Sequence, residues 1–119
     1  MKIIAVVGSR GFNDWQLFKS VMSEYNPTEI ISGGARGADS MAAAWAKENQ
    51  IPLKEIRPDY AQYGRAAPIR RNDLIVDAAD LVVAFWDGKS RGTKHVIDYT
   101  EKTGKYLKII IHKEKGLRE

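Results

Sequence analysis

The sequence predicts a single α/β domain built on a doubly wound, parallel sheet of about five strands with helices on both faces. Three observations predict it. Short apolar runs recur along the chain, nearly unbroken in character, as strands buried on both faces are. Each run is followed by a segment whose apolar residues repeat at helical spacing. Three of the runs end in small, polar, glycine-containing corners. Strand alternating with helix selects the parallel arrangement, because parallel neighbours need a crossover and a helix supplies it.

The first strand is Lys2 to Val7, stopped by Gly8-Ser9-Arg10-Gly11-Phe12. Asn13 or Asp14 caps a helix with Trp15, Phe18, Val21, Met22 and Tyr25 on its apolar face, and Pro27 ends it. Glu29-Ile30-Ile31 forms the second strand and runs into Ser32-Gly33-Gly34-Ala35-Arg36-Gly37-Ala38-Asp39. The helix beyond buries Ala38, Met41, Ala42, Trp45 and Ala46 and closes at Asn49-Gln50. Ile51 to Ile56 is a third strand, placed at an edge by Pro52. Pro58 to Ala67 reads as irregular, and Pro68 opens a helix over residues 69–79 whose first turn carries Arg70, Arg71 and Asn72. Asp80 to Phe85 is a fourth strand, followed by Trp86-Asp87-Gly88-Lys89-Ser90-Arg91-Gly92-Thr93. A helix with Val96, Ile97 and Thr100 inward stops at Gly104. Tyr106 to His112 is the last strand, so the domain spans residues 1–112 and residues 113–119 form a charged tail.

The 119 residues contain no cysteine, which excludes disulfides, thiol nucleophiles and cysteine metal sites. No stretch reaches the roughly 18 apolar residues of a membrane span, and Met1-Lys2 leads directly into a strand. The expectation is a cytoplasmic chain with no membrane partner. The net charge of +4 can serve nucleic acid, small anions or nothing but solubility. The lysines from Lys102 onward, Lys105 included, read as a solvated face.

In a parallel sheet all strands end on one edge, so the three corners converge there, each with an arginine. Glycines let backbone N–H groups approach an anion, and a helix N-terminus presents unpaired donors carrying about half a positive charge. The corners therefore form a candidate anion site of Gly8, Ser9, Arg10, Ser32, Gly33, Gly34, Ala35, Arg36, Gly37, Asp39, Arg71, Asn72, Trp86, Asp87, Ser90, Arg91, Gly92 and Thr93. If a base occupies the site, Trp86 is the residue expected to stack on it. Walker A and G-x-G-x-x-G spacings are both absent.

The corner strings, with Tyr63-Gly64 and Arg71-Asn72, resemble the SLOG superfamily, and within it the small, single-domain YspA-like group. The superfamily also holds the DNA-processing protein DprA and the LOG phosphoribohydrolases. The resemblance implies a Rossmann-like fold, a pocket for a nucleotide or nucleotide-derived ligand, and a homodimer. LOG enzymes carry an Arg-Lys-x-x-Met helix start with a catalytic arginine, which Arg71-Asn72-Asp73-Leu74-Ile75 resembles. Their Pro-Gly-Gly-x-Gly-Thr-x-x-Glu loop is matched at Gly92-Thr93, whereas Lys89-Ser90-Arg91 replace its earlier part and Val96 stands at the glutamate. Valine neither accepts a proton nor binds a hydroxyl.

Three readings follow. A sensor or binding module needs only the donors and positive charge present. A hydrolase of an N-glycosidic or phosphate bond needs a placed acid or base, leaving Arg71, Asp39 and Asp87 as catalytic candidates, with Asp14 behind them; His95 and His112 are poorly placed. Single-stranded DNA binding, as in DprA, would use Tyr60, Tyr63 and Trp86 beside Arg65 and Arg91. No metal cluster is visible in the sequence; magnesium enters only on a bound nucleotide's phosphates.

Overall fold

In the computed structural model, which describes residues 2–112, the apolar runs become five strands: β1 (Ile3–Gly8), β2 (Glu29–Ser32), β3 (Leu53–Glu55), β4 (Leu81–Trp86) and β5 (Tyr106–Ile111). They pair in parallel in the order β3-β2-β1-β4-β5. The helices are α1 (Trp15–Met22), α2 (Ala38–Glu48), α3 (Tyr60–Tyr63), α4 (Ala67–Ala78) and α5 (Arg91–Thr103).

Alternation along the strands divides the core in two. Ile4, Val6, Ile30, Val83 and Phe85 pack under α1 and α2, against Phe18, Met22, Ala42 and Trp45. Ala5, Val7, Ile31, Val82 and Ala84 pack under α4 and α5, against Ile75, Val76, Val96 and Ile97. Continuous apolar runs were needed because β1, β2 and β4 are covered on both faces. Short β3 is an edge, as Pro52 suggested, and every residue in it is exposed.

The helix starts follow side-chain chemistry. The Asp14 carboxylate accepts the Leu17 N–H at 3.0 Å, and Ser90 caps α5. Gly104 ends α5 with φ +76. Four local expectations are corrected. Helix α1 ends at Met22, five residues before Pro27, where Ser23, Glu24 and Tyr25 bond back to Lys19, Val21 and Met22 in tightening turns. The stretch read as irregular contains α3, capped by Asp59, and a 3-10 turn over Gly64–Ala66. That turn feeds α4 directly, so α4 begins at Ala67 and Arg71 and Asn72 sit past its first turn. Lys105 is not simply solvated: its Nζ donates to the Val76, Asp77 and Ala79 carbonyls and closes α4, which has no C-terminal glycine. The tail, residues 113–119, lies outside the described residues.

Candidate functional site

The chain leaves β1 for one face of the sheet and leaves β4 for the other, so a crevice opens between their carboxyl ends. It is a cleft of about 430 Å3. One wall is Gly8, Ser9, Arg10 and Gly11; a second is Gly33, Ala35 and Asp39; a third is Asp87, Ser90, Gly92 and Thr93. Arg71 and Asn72 reach in from α4, and Val7, Ile75 and Val96 line the rest with apolar surface.

The β2–α2 wall is clamped from two sides. The buried Asp39 carboxylate, at the start of α2, accepts the Ala35 N–H at 3.1 Å and the Gly33 N–H. Arg71 Nη1 donates to the Gly33 carbonyl at 3.0 Å, and its Nε donates to Asn72 Oδ1 at 2.9 Å. A Cβ on Gly33 would lie 2.7 Å from Arg71 Nη1, so any larger residue there must displace the arginine from its carbonyl. Burial pushes the Asp39 carboxyl above its ordinary value, only partly offset by the two amides and by Arg71. Burial likewise pulls Arg71 down, against the attraction of Asp39, and the nearby Arg10 and Arg57 pull it further.

The β4–α5 wall is organised by its own aspartate. Asp87 Oδ1 accepts the Lys89 and Ser90 N–H groups, both at 2.8 Å, while the Ser9 hydroxyl bonds the same carboxylate. The Asp87 N–H in turn donates to Ser9 Oγ at 3.2 Å. Burial pushes Asp87 up, but these donors outweigh it and hold the carboxyl below its ordinary value. Gly92 and Thr93 line the cleft at the α5 N-terminus, where Ser90 Oγ accepts the Thr93 N–H and the positive end of the helix suits an anion.

Twelve residues expected at the site line the cleft: Gly8, Ser9, Arg10, Gly33, Ala35, Asp39, Arg71, Asn72, Asp87, Ser90, Gly92 and Thr93. Six do not. Ser32 is buried, its hydroxyl without a partner among the described residues. Gly34, at φ +75, lies under the Arg57 guanidinium, and Gly37, at φ +77, is the residue before α2. Arg36 and Arg91 are exposed outside the lining. Trp86 packs toward the α4–α5 core and donates its indole N–H to the Ser90 carbonyl at 3.0 Å, so it braces the loop instead of facing a base. Tyr63 stacks with Arg70, its ring centre 5.5 Å from the guanidinium carbon, and neither Tyr60 nor Tyr63 lines the cleft. His95 pairs with Asp73 at 2.9 Å, and His112 is buried edge-on to Phe12. Sequence reasoning missed Val7, Gly11, Ile75 and Val96 as lining residues. Ile75 was reachable from Arg71, since i and i+4 share a helix face.

A family model for YspA and cpYpsA-related SLOG proteins (YAcAr) matches residues 2–63. The chain belongs to this family. It is 32% identical over 116 residues to the gene 61 protein of Mycobacterium phage D29, covering 87% of this chain and 92% of that one. Its fold is also similar to the X-ray structure of TM1055, with a TM-score of 0.66 at 19% identity, over 90% of this chain and 72% of that one. The SLOG resemblance and the Rossmann-like fold both hold. Family membership supports a nucleotide-related role, of binding or processing, in general terms. No helix among the described residues is long and apolar enough to cross a membrane, and no group of three or more His, Cys, Asp or Glu side chains among them could hold a metal ion.

Proposed function

We propose that this SLOG protein binds a nucleotide or nucleotide-derived ligand in the cleft between the ends of β1 and β4, as a sensor or binding module. The observation that carries the reading is the division of the cleft into a donor-rich rim and an apolar floor. A phosphate meets the α5 N-terminus at Gly92 and Thr93, with Arg10 and Arg71 supplying charge. The sugar and base then lie over Val7, Ile75 and Val96. Binding is favoured over cleavage because both cleft carboxylates, Asp39 and Asp87, are engaged by backbone amides. Val96, where the LOG glutamate would stand, is part of the floor. Magnesium riding on the ligand's phosphates is compatible with this site.

A thermal-shift panel of NAD, ADP-ribose, AMP, ATP, cyclic nucleotides and short single-stranded DNA tests the reading, with Arg10→Ala alongside and product analysis of each mixture. The expected result is a nucleotide that raises Tm in the native chain, raises it less in Arg10→Ala, and is recovered intact. A consumed nucleotide would make the protein a hydrolase. Stabilisation by DNA alone, falling steeply with salt, would move the reading to nucleic acid.

A further inference from the structure

The two adjacent glycines after β2 each seat an arginine from elsewhere in the chain. A Cβ on Gly33 would meet Arg71 Nη1 at 2.7 Å, and a Cβ on Gly34 would meet Arg57 Cζ and Nη2 at 3.0 Å. Two guanidiniums therefore pack against neighbouring residues of one loop, and Arg10 is close enough to repel Arg71 as well. Like charges brought together in this way are unfavourable unless opposite charge offsets them. Asp39 partly offsets Arg71, and Glu55 Oε1 meets Arg57 Nη2 at 3.1 Å. The exposed Arg10 is left in excess, and a guanidinium has five donors, of which the Glu55 contact engages one nitrogen of Arg57.

These groups leave the sheet in a row. Arg57 follows β3, Gly33 and Gly34 follow β2, Arg10 follows β1, and Gly92-Thr93 follow β4. The Arg57 guanidinium lies over Gly34 at the end of β2, so the donors span β2, β1 and β4, two spacings of about 4.8 Å or about 10 Å. A phosphoryl group reaches its donors at about 3 Å, so one such group cannot engage both ends.

We infer that the ligand carries at least two phosphoryl groups laid along this row, and that Arg57 binds the one farther from Gly92-Thr93. The ligand class is a nucleoside diphosphate or a pyrophosphate-linked dinucleotide, not a nucleoside monophosphate. The inference rests on the nucleotide reading above and adds Arg57 as the residue that counts phosphates.

Isothermal titration of AMP, ADP, NAD, inorganic phosphate and inorganic pyrophosphate into the native chain and Arg57→Ala tests it. ADP or NAD binds about tenfold tighter than AMP, and pyrophosphate binds tighter than phosphate. Arg57→Ala removes that advantage, leaves AMP unchanged, and Arg57→Lys restores part of it. Arg57 is exposed, so the variants fold, which circular dichroism verifies. AMP binding as tightly as ADP and NAD, or diphosphate binding indifferent to Arg57→Ala, overturns the inference and leaves the nucleotide reading standing. A pyrophosphate preference with no nucleotide binding does the reverse. Silence from all five overturns the inference, and silence across the wider nucleotide panel as well overturns both.

Discussion

The β2–α2 loop and the β4–α5 loop look alike as sequence: glycines, one arginine, small polar residues and an aspartate, then a helix. Folded, each has an aspartate that gathers two backbone amides, and they differ in what else holds them. Residues 33–37 are pinned from outside, by Arg71 on the Gly33 carbonyl, Arg57 over Gly34, and Gly37 against the backbone of Ser9 and Arg10. Residues 87–93 are pinned mainly from within, by Asp87 gathering the amides of Lys89 and Ser90 and by Ser90 capping α5, with Ser9 reaching Asp87 from the β1 corner. The motif arginines of both loops, Arg36 and Arg91, are exposed outside the cleft. An arginine inside a glycine loop is thus an uneven guide to where the cations gather: Arg10 of the first corner lines the cleft, Arg36 and Arg91 do not, and α4 delivers Arg71.

The strongest way to break this contrast is to add one methyl group to each loop. At Gly37 the backbone has φ +77, and a Cβ would run into the Ser9 and Arg10 carbonyls. Gly37→Ala is expected to cost about 3 kcal/mol or more, read as a lowered urea midpoint. Gly88 has φ +83 with nothing within 4 Å of a new Cβ, so Gly88→Ala costs only the left-handed strain, about 1 kcal/mol. Gly92 is neither strained nor crowded, and Gly92→Ala leaves stability within about 0.5 kcal/mol of native or raises it. Equal losses at Gly37 and Gly88 would mean that the first loop is not held from outside.

Much of this was readable from the chain. The strands announced themselves because β1 and β4 are covered on both faces, and the site's edge followed from parallel pairing with no further information. What stayed hidden depended on long-range contacts. Arg57 stands in a polar stretch after an edge strand, with no periodicity or glycine beside it to mark it. Trp86 looked like a stacking platform because an aromatic at a strand end commonly is one; its direction is set by the Ser90 carbonyl, which sequence does not place. Asp39 and Asp87 read alike in the sequence, each an aspartate in a glycine-containing corner, and burial is the main thing that separates them.

The arginines give the next test. Arg71→Ala removes the donor to the Gly33 carbonyl and leaves the buried Asp39 without its cation, for an expected cost of about 2 kcal/mol in urea denaturation. Arg36→Ala and Arg91→Ala, both at exposed sites, are expected to stay within about 0.5 kcal/mol of native. Should Arg36→Ala prove the costlier, the loop's own arginine would be its anchor and the clamp from α4 incidental.

The subtlest difference lies in the two carboxylates, and pH separates them by sign. Burial raises Asp39 above 3.8, so the folded chain holds that proton more tightly than the unfolded chain does. Its contribution to stability is present in full below pH 3.8 and is lost as pH rises through the folded value. Asp87 is lowered from 3.8, because the Ser90, Lys89 and Ser9 donors outweigh its burial. Its contribution is present above pH 3.8 and is lost as pH falls through the folded value. Carbon-detected NMR of the side-chain carboxyls, titrated from acid to neutral pH, therefore places the Asp39 midpoint above that of Asp87. Two substitutions sharpen the result. Arg71→Ala raises Asp39 further and leaves Asp87 still, while Ser9→Ala raises Asp87 and leaves Asp39 still, since each removes a partner of one carboxylate alone. A shared midpoint, or a single variant that moves both, would join the two walls into one electrostatic unit and remove the distinction between a loop clamped from outside and one capped from within.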